Sequence, residues 1–275
     1  MERKYTVRTF ALEAFAIALG LLFLIPFYFV LVNSFKDNAG ILIDAAALPK
    51  EWIADNFSRV WTLLDFPSAF WNSLLVTVLS DVGLVVISSM AAWRLVRTPG
   101  RFSQALFALF VAAMVIPFQT IMIPLVKLGA SLQLVNSIPG LVFMYFGFGV
   151  SITVFLYHGF VKTVPLEIEE SADIDGCSPF GVFWRIVFPL LQPITITVLI
   201  LNTLWFWNDY LLPRLMLQDE ELRTIPVAMS ALFAQYNKQW DLGLAGLVIG
   251  TLPIIVFFLL LQKHIIKGIA AGSGK

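Results

Sequence analysis

Six runs of roughly twenty apolar residues dominate the sequence, each long enough to carry a helix across the hydrocarbon core of a bilayer. They extend over about Ala11 to Asn33, Phe70 to Trp93, Phe102 to Val126, Ile138 to Phe160, Val187 to Leu212 and Leu242 to Gln262. Of the 275 residues, 59% are hydrophobic and only 13% are charged. A soluble domain carries about twice that charged share, so this apolar surface calls for lipid. The pattern predicts an all-α polytopic membrane protein. Its first run is longer than a signal-peptide core of about 7–15 residues and lacks a small-x-small cleavage pattern, so it reads as an uncleaved span. A division follows into residues 1–65, holding the first span and an outer loop, and residues 66–275, holding five spans.

Several functions are disfavoured at once. The net charge of zero offers no electrostatic footprint for nucleic acid. Cys177 is the single cysteine, which excludes an intrachain disulfide, and His158 and His264 stand far apart. No metal-ligand spacing or catalytic cluster emerges.

Six spans place both termini on one side, and the lysine and arginine distribution selects it. With a cytoplasmic N-terminus, eleven basic residues face inward: Arg3, Lys4, Arg8, Arg94, Arg97, Arg101, Lys162, Arg185, Lys263, Lys267 and Lys275. Seven face outward: Lys36, Lys50, Arg59, Lys127, Arg214, Arg223 and Lys238. Both ends are therefore expected in the cytoplasm. Pro26, Pro117, Pro124 and Pro253 fall within or near the ends of spans, where they are expected to kink helices.

The most informative segment lies between spans four and five, at about 161–189. Thr163 before Pro165 reads as a helix start and Gly176 as a left-handed stop. Ser178-Pro179 opens a second short helix, which Pro189 is expected to end. Glu167, Glu169, Glu170, Asp173 and Asp175 fall within nine residues, with no lysine or arginine between Lys162 and Arg185. Glu169 and Asp173 stack like charges one turn apart, and Asp173 and Asp175 oppose the helix dipole. This predicts either a solvated acidic face or a basic surface supplied from outside the chain.

Glu170-Ser171-Ala172, then Gly176, then Ile186-Val187-Phe188-Pro189 resembles the EAA loop of ABC importer permeases, whose pattern is Glu-Ala-Ala, three residues, Gly, nine residues, Ile-x-Leu-Pro. The spacing matches throughout; Ser171 and Phe188 are the departures. Trp207-Asn208-Asp209-Tyr210 and the tail from Lys267-Gly268 to Lys275 are similar to segments of the maltose-type carbohydrate branch. The resemblance implies a type I importer permease fold in a bacterial or archaeal inner membrane. It also implies a second, homologous permease subunit completing the pore, two ATP-binding subunits at the cytoplasmic face and an external solute-binding protein. ATP and Mg would belong to those subunits, with no cofactor in this chain, and the cargo would be a sugar.

Carried over residue by residue, Glu169, Glu170, Ser171, Ala172, Asp173, Asp175 and Gly176 would form the loop that couples to the ATPase. Glu170 would face a basic residue of the ATPase cleft, and Ala172 and Gly176 would permit close approach. Phe180, Phe183 and Trp184 would anchor the second short helix, or serve as an interfacial aromatic belt. By the same resemblance the outer stretch from about Met216 to Gln239 would meet the binding protein.

Two polar stripes within spans are candidates for the translocation path. On span two, Ser73, Thr77, Ser80, Asp81 and Ser88 share one helical face, with Asp81 lining the path or bonding a neighbouring helix. On span five, Thr195, Asn202 and Asp209 repeat every seven residues beside Trp205 and Phe206. Amides and aromatic faces suit a sugar, and equally suit helix packing. A secondary transporter would need related halves and more buried ionisable residues; a membrane-embedded enzyme would need a convergent cluster. A glycerol-phosphate-type cargo is the alternative within the same architecture. Gly272-Ser273-Gly274-Lys275 imitates the end of a phosphate-binding loop but lacks the first glycine and the following helix.

Overall fold

A computed structural model describes residues 7–233 and 239–273. Arg3, Lys4, Lys238, Gly274 and Lys275, all used in the sequence reading, lie outside the described residues. Every regular element among those described is helical. In order they are α1 (Val7–Asn33), α2 (Asn38–Ile43), α3 (Asp55–Leu63), α4 (Phe66–Arg97), α5 (Arg101–Ala113), α6 (Phe118–Ser131) and α7 (Ile138–Val161). There follow α8 (Leu166–Ile174), α9 (Pro179–Leu190), α10 (Gln192–Asn208), α11 (Leu211–Met216), α12 (Ile225–Ser230) and α13 (Trp240–Ser273).

Among the described residues four helices are long and apolar enough to cross a membrane unbroken: α1, α4, α7 and residues Trp240–Leu260 of α13. The expected six spans are reached when two bent pairs each count as one. Span three is not the continuous helix expected from its hydropathy. α5 and α6 meet at 104°, because Pro117 stands in extended backbone before α6, and a residue preceding proline is driven out of helical geometry. Span five is likewise divided. α9 and α10 meet at 74°, and α10 stops at Asn208, where Asp209 turns extended. By contrast Pro26, Pro124 and Pro253 sit inside continuous helices.

The chain forms two compact units: Met1–Phe66 with Met229–Leu252, and Pro67–Ala228 with Pro253–Lys275. Segment 229–252, assigned by sequence to the C-terminal part, thus joins the first unit. There Val60, Leu232, Leu242 and Ala245 form the core. Buried Asn56 donates to the carbonyls of Ser34 (3.0 Å) and Lys36 (2.8 Å), which ties α3 to the chain leaving α1. Of α1 itself, only Val32 and Asn33 are buried.

The second unit is organised around α4 and α7. At one end Val76 and Leu84 of α4 pack with Leu141, Met144 and Tyr145 of α7 and with Phe206 and Met216. At the other end Ala92 packs with Tyr157 and Val161, against Ala172 of α8 and Val182, Phe183 and Val187 of α9. Lipid offers little hydrophobic drive for helix association, so close approach and interhelical bonds must hold such a bundle. Glycine permits the approach: a Cβ at Gly149 of α7 would lie 2.4 Å from Leu84 Cδ1. Three polar rungs join α10 and the residue that follows it to α7. Tyr157 donates to Thr195 Oγ1 (2.9 Å), Asn202 to Thr153 Oγ1 (3.4 Å) and Tyr145 to Asp209 Oδ2 (2.8 Å).

Leu84 is fully buried and has nowhere to retreat. Gly149→Val is therefore expected to lower stability by about 1–3 kcal/mol through overpacking, read as a reduced thermal unfolding midpoint in detergent. Gly159→Val, where a Cβ meets nothing within 4 Å, is expected to leave that midpoint near the parent value. Equal effects of the two would refute the assigned contact.

Candidate functional site

The segment between α7 and α10 folds as a helical elbow at the end of the bundle where α4 finishes. Thr163, expected to open α8, instead donates its hydroxyl to Phe160 O (2.8 Å) and so closes α7. Pro165 occupies the N-cap of α8 without a side-chain bond. The stop is as expected. Gly176 has φ +82°, the Cys177 amide reaches Ala172 O (3.0 Å) and the Gly176 amide reaches Asp173 O (3.0 Å). Those two bonds satisfy orphan carbonyls at the helix end through a residue in the left-handed region, which suits glycine. Ser178 then caps α9 by accepting from the Gly181 amide (3.2 Å), with Pro179 in the first turn. α9 runs through Pro189 to Leu190 rather than ending at the proline, and contains one π turn, Phe183–Val187.

The elbow sorts its side chains sharply. Ala172 and Phe183 are buried, whereas Glu170, Ser171, Asp173, Asp175 and Gly176 are exposed. Phe183, expected to anchor the second short helix or to join an interfacial belt, is fully buried and packs on Trp93 with ring centroids 5.2 Å apart. Phe180 remains 65% exposed. Trp184 is half-buried between Phe180, Phe183 and Phe188.

Glu169 requires a correction. The absence of nearby basic residues suggested a counter-ion outside the chain, yet Glu169 is 5% exposed and turned inward. Arg97, the last residue of α4, lies across from it, with Nη2 2.7 Å and Nε 2.8 Å from Oε1. Trp93 Nε1 donates to Oε2 (2.8 Å). The same Arg97 Nη2 also donates to Val164 O (2.8 Å) in the α7–α8 connection. A carboxylate in so little water is tolerable only when paired and fully hydrogen-bonded, and removing one partner of such a pair costs about 3–5 kcal/mol. Arg97 had counted only as a topological charge and Trp93 only as a span end. Their spacing of four residues, and that of Glu169 and Ala172 at three on α8, were the available signals. Among the described residues Glu167, Glu170, Asp173 and Asp175 enter no ion pair.

The path candidates on α4 lie within the bundle in this single chain. Ser73, Thr77, Ser80, Asp81 and Ser88 do share one face of α4, and all are buried. Ser73 Oγ accepts from the Ile225 amide (2.9 Å), and Asp81 Oδ2 accepts from Thr203 Oγ1 (2.6 Å). Thr77, Asp81 and Thr203 border a cavity of about 250 Å³ walled by Phe70, Trp207 and Phe257. Asn202 and Phe206 are also buried, Asn202 in the rung to Thr153. Asp209 pairs with Tyr145 and accepts from the Leu211 amide (3.1 Å) at the start of α11. Trp205, 41% exposed, is the one aromatic of this stripe on the surface. Asp81 with Thr203 joins α4 to α10, and Asn202 with Thr153 joins α10 to α7, whereas the hydroxyls of Thr77, Ser80 and Ser88 are buried without a hydrogen-bond partner among the described residues.

Comparison with known proteins places the chain in a family. Residues 83–271, from the middle of α4 through the elbow into α13, match the family described as binding-protein-dependent transport system inner membrane component. The chain is 44% identical over 274 residues, 99% of both chains, to a protein of Thermoanaerobacterium thermosulfurigenes called probable starch degradation products transport system permease protein AmyC. It is 36% identical to the melibiose/raffinose/stachyose import permease protein MelC of Bacillus subtilis, over 91% of each chain. It is 31% identical to the arabinooligosaccharides transport system permease protein AraQ of the same organism, over 99% and 98%. In fold it is similar to a chain of a bacterial ABC transporter involved in the import of the acidic polysaccharide alginate, with a TM-score of 0.79 and 20% identity over 95% of this chain and 99% of that one. The chain belongs to the inner-membrane permease components of binding-protein-dependent ABC transport systems.

Proposed function

We propose that this permease forms half of the translocation pore of an ATP-driven carbohydrate importer, and that the α8–α9 elbow receives a separate ATPase subunit. The observation that carries the docking role is the composition of the elbow's outer surface. Glu167, Glu170, Asp173 and Asp175 stand without ion partners among the described residues, around Ile174 (86% exposed) and Phe180 (65% exposed). Isolated in water, such a surface gains nothing from its repelling charges. Against a cleft with basic rims and an apolar floor, both its charge and its apolar area become favourable.

The carbohydrate cargo is supported by the relatives, whose names speak of starch degradation products, of melibiose, raffinose and stachyose, and of arabinooligosaccharides. The remaining parts follow from the family: a second, non-identical permease subunit, two ATP-binding subunits carrying ATP and Mg, and an external solute-binding protein. This chain would supply no hydrolytic chemistry. Arg94, Arg97 and Arg101 lie at the elbow's end of the bundle, which supports an inner-membrane orientation with that end and both termini cytoplasmic. Nucleotide-driven closure of the ATPases would displace the elbow and shift the pore between outward- and inward-facing states.

Glu170→Lys is expected to leave membrane insertion intact and to cut solute-stimulated ATP hydrolysis of the reconstituted complex by at least about tenfold, since reversal of a docking charge weakens the interface. Unchanged stimulation would overturn the docking role. Gly176→Val meets open space but forces a left-handed β-branched residue, costing about 1–2 kcal/mol. Uptake by that variant is expected to fall while Gly176→Asn retains most of it, measured with labelled solute in proteoliposomes. For the cargo, isothermal titration of the cognate binding protein is expected to show oligosaccharide binding; heat signals from glycerol phosphates alone would redirect the assignment.

A further inference from the structure

We infer that Arg97 and Trp93 are positioning residues for energy coupling: through Glu169 they clamp the elbow to the end of α4, so that elbow and α4 move as one body. This inference rests on the proposed docking of an ATPase at the elbow.

The clamp is built from directional contacts. Both oxygens of the Glu169 carboxylate are engaged, Oε1 by Arg97 and Oε2 by Trp93. Arg97 also holds the backbone of the α7–α8 connection at Val164. Thus α8 is fixed along its length and about its axis, because a slide or a roll breaks at least one contact to a buried charge. The apolar contacts beside it, from Ala172 and Phe183, resist separation but do not define a register in this way. The planar fork of arginine fixes the directions from which carboxylate and carbonyl are held, whereas the rotatable donors of a lysine ammonium would leave that geometry looser.

The choice of α4 as the clamped helix has a mechanical logic. Spans three and five are bent by 104° and 74°, and α1 and α13 carry internal prolines. α4 runs unbroken for 32 residues, with Pro67 confined to its first turn. From Arg97 back to Ser73 it reaches about 36 Å at the α-helical rise. Along that length it is bonded to α10 through Asp81 and Thr203, and at the far end to the Ile225 amide through Ser73. A displacement imposed at the elbow therefore enters a stiff rod attached to both bent and straight parts of the bundle. Glu169 belongs to transmission, and Glu170 beside it to docking.

The test uses the complete complex, with ATPase subunits and binding protein, in proteoliposomes. Trp93→Phe, Arg97→Lys and Glu169→Gln are compared with Glu170→Lys. Three quantities are read: co-purification of the ATPase, hydrolysis without solute, and solute moved per ATP consumed. The clamp variants are expected to retain the ATPase and its unstimulated hydrolysis while solute moved per ATP falls by about tenfold, the range reported for residues that carry coupling. A second arm, in a Cys177→Ser background, joins Arg97→Cys to Glu169→Cys with a short bifunctional thiol reagent; cross-linking is expected to restore coupling that the uncross-linked pair lacks. Unchanged solute per ATP in all three clamp variants overturns the inference. So does loss of assembly in every variant, Trp93→Phe and the cross-linked pair included, since the clamp would then serve folding alone. If Glu170→Lys leaves docking and stimulation untouched, the docking reading fails in its own right. Uncoupling by Glu170→Lys with intact clamp variants removes only the present inference.

Discussion

Inside a bilayer no water is at hand to satisfy an exposed amide or carbonyl, and that constraint shapes the spanning part of this chain. Long apolar runs become helices because only there does every backbone group find a partner within its own segment. Where a helix starts or stops, something local takes over: a serine hydroxyl at the start of α9, a left-handed glycine at the end of α8, an Asp209 oxygen at the start of α11. Several buried side chains meet the same requirement. Thr195, Asn202 and Asp209 each find a partner on α7, and Glu169 finds its partners on α4. Polar groups at depth have become the fasteners of a bundle whose greasy surfaces supply little association energy of their own.

That dual use explains what the sequence disclosed. The number and place of the apolar runs, the Gly176 stop, the Ser178 start and the spaced Glu170–Gly176–Pro189 pattern all depend on residues near one another in the chain. Local chemistry decides them. The break at Pro117 was signalled by the proline itself, yet hydropathy averages over such a point and so showed one span. Glu169 was misjudged for another reason: its partner stands 72 residues away, on a helix whose end looked like a topological marker. Charge counting along the chain cannot see a counter-ion delivered by packing. The stripe on α4 was recognised as one face, while its burial beside α7 and α10 depended on where those helices lie.

The elbow separates two kinds of acid that sequence alone presents as one cluster. Glu169 is neutralised, buried and directed toward α4; Glu170, Asp173 and Asp175 are exposed and enter no ion pair among the described residues. Adjacent residues on a helix point about 100° apart, so a single step along α8 changes the audience from the chain itself to a partner. The proposed importer uses both sides of that short helix, one to receive force and the other to pass it on.

One corollary concerns the exchange of loops between related permeases. Because the fork of Arg97 is matched to an acid on α8, the elbow is not a detachable module. A chimera that grafts a foreign coupling segment onto this scaffold inherits an arginine and an indole donor shaped for a carboxylate. Unless the transplant brings an acid to position 169, or residues 93 and 97 travel with it, the graft buries a stranded cation at its root. Compatibility between domains of such transporters is thus decided partly within one polypeptide, beneath the surface where two subunits meet.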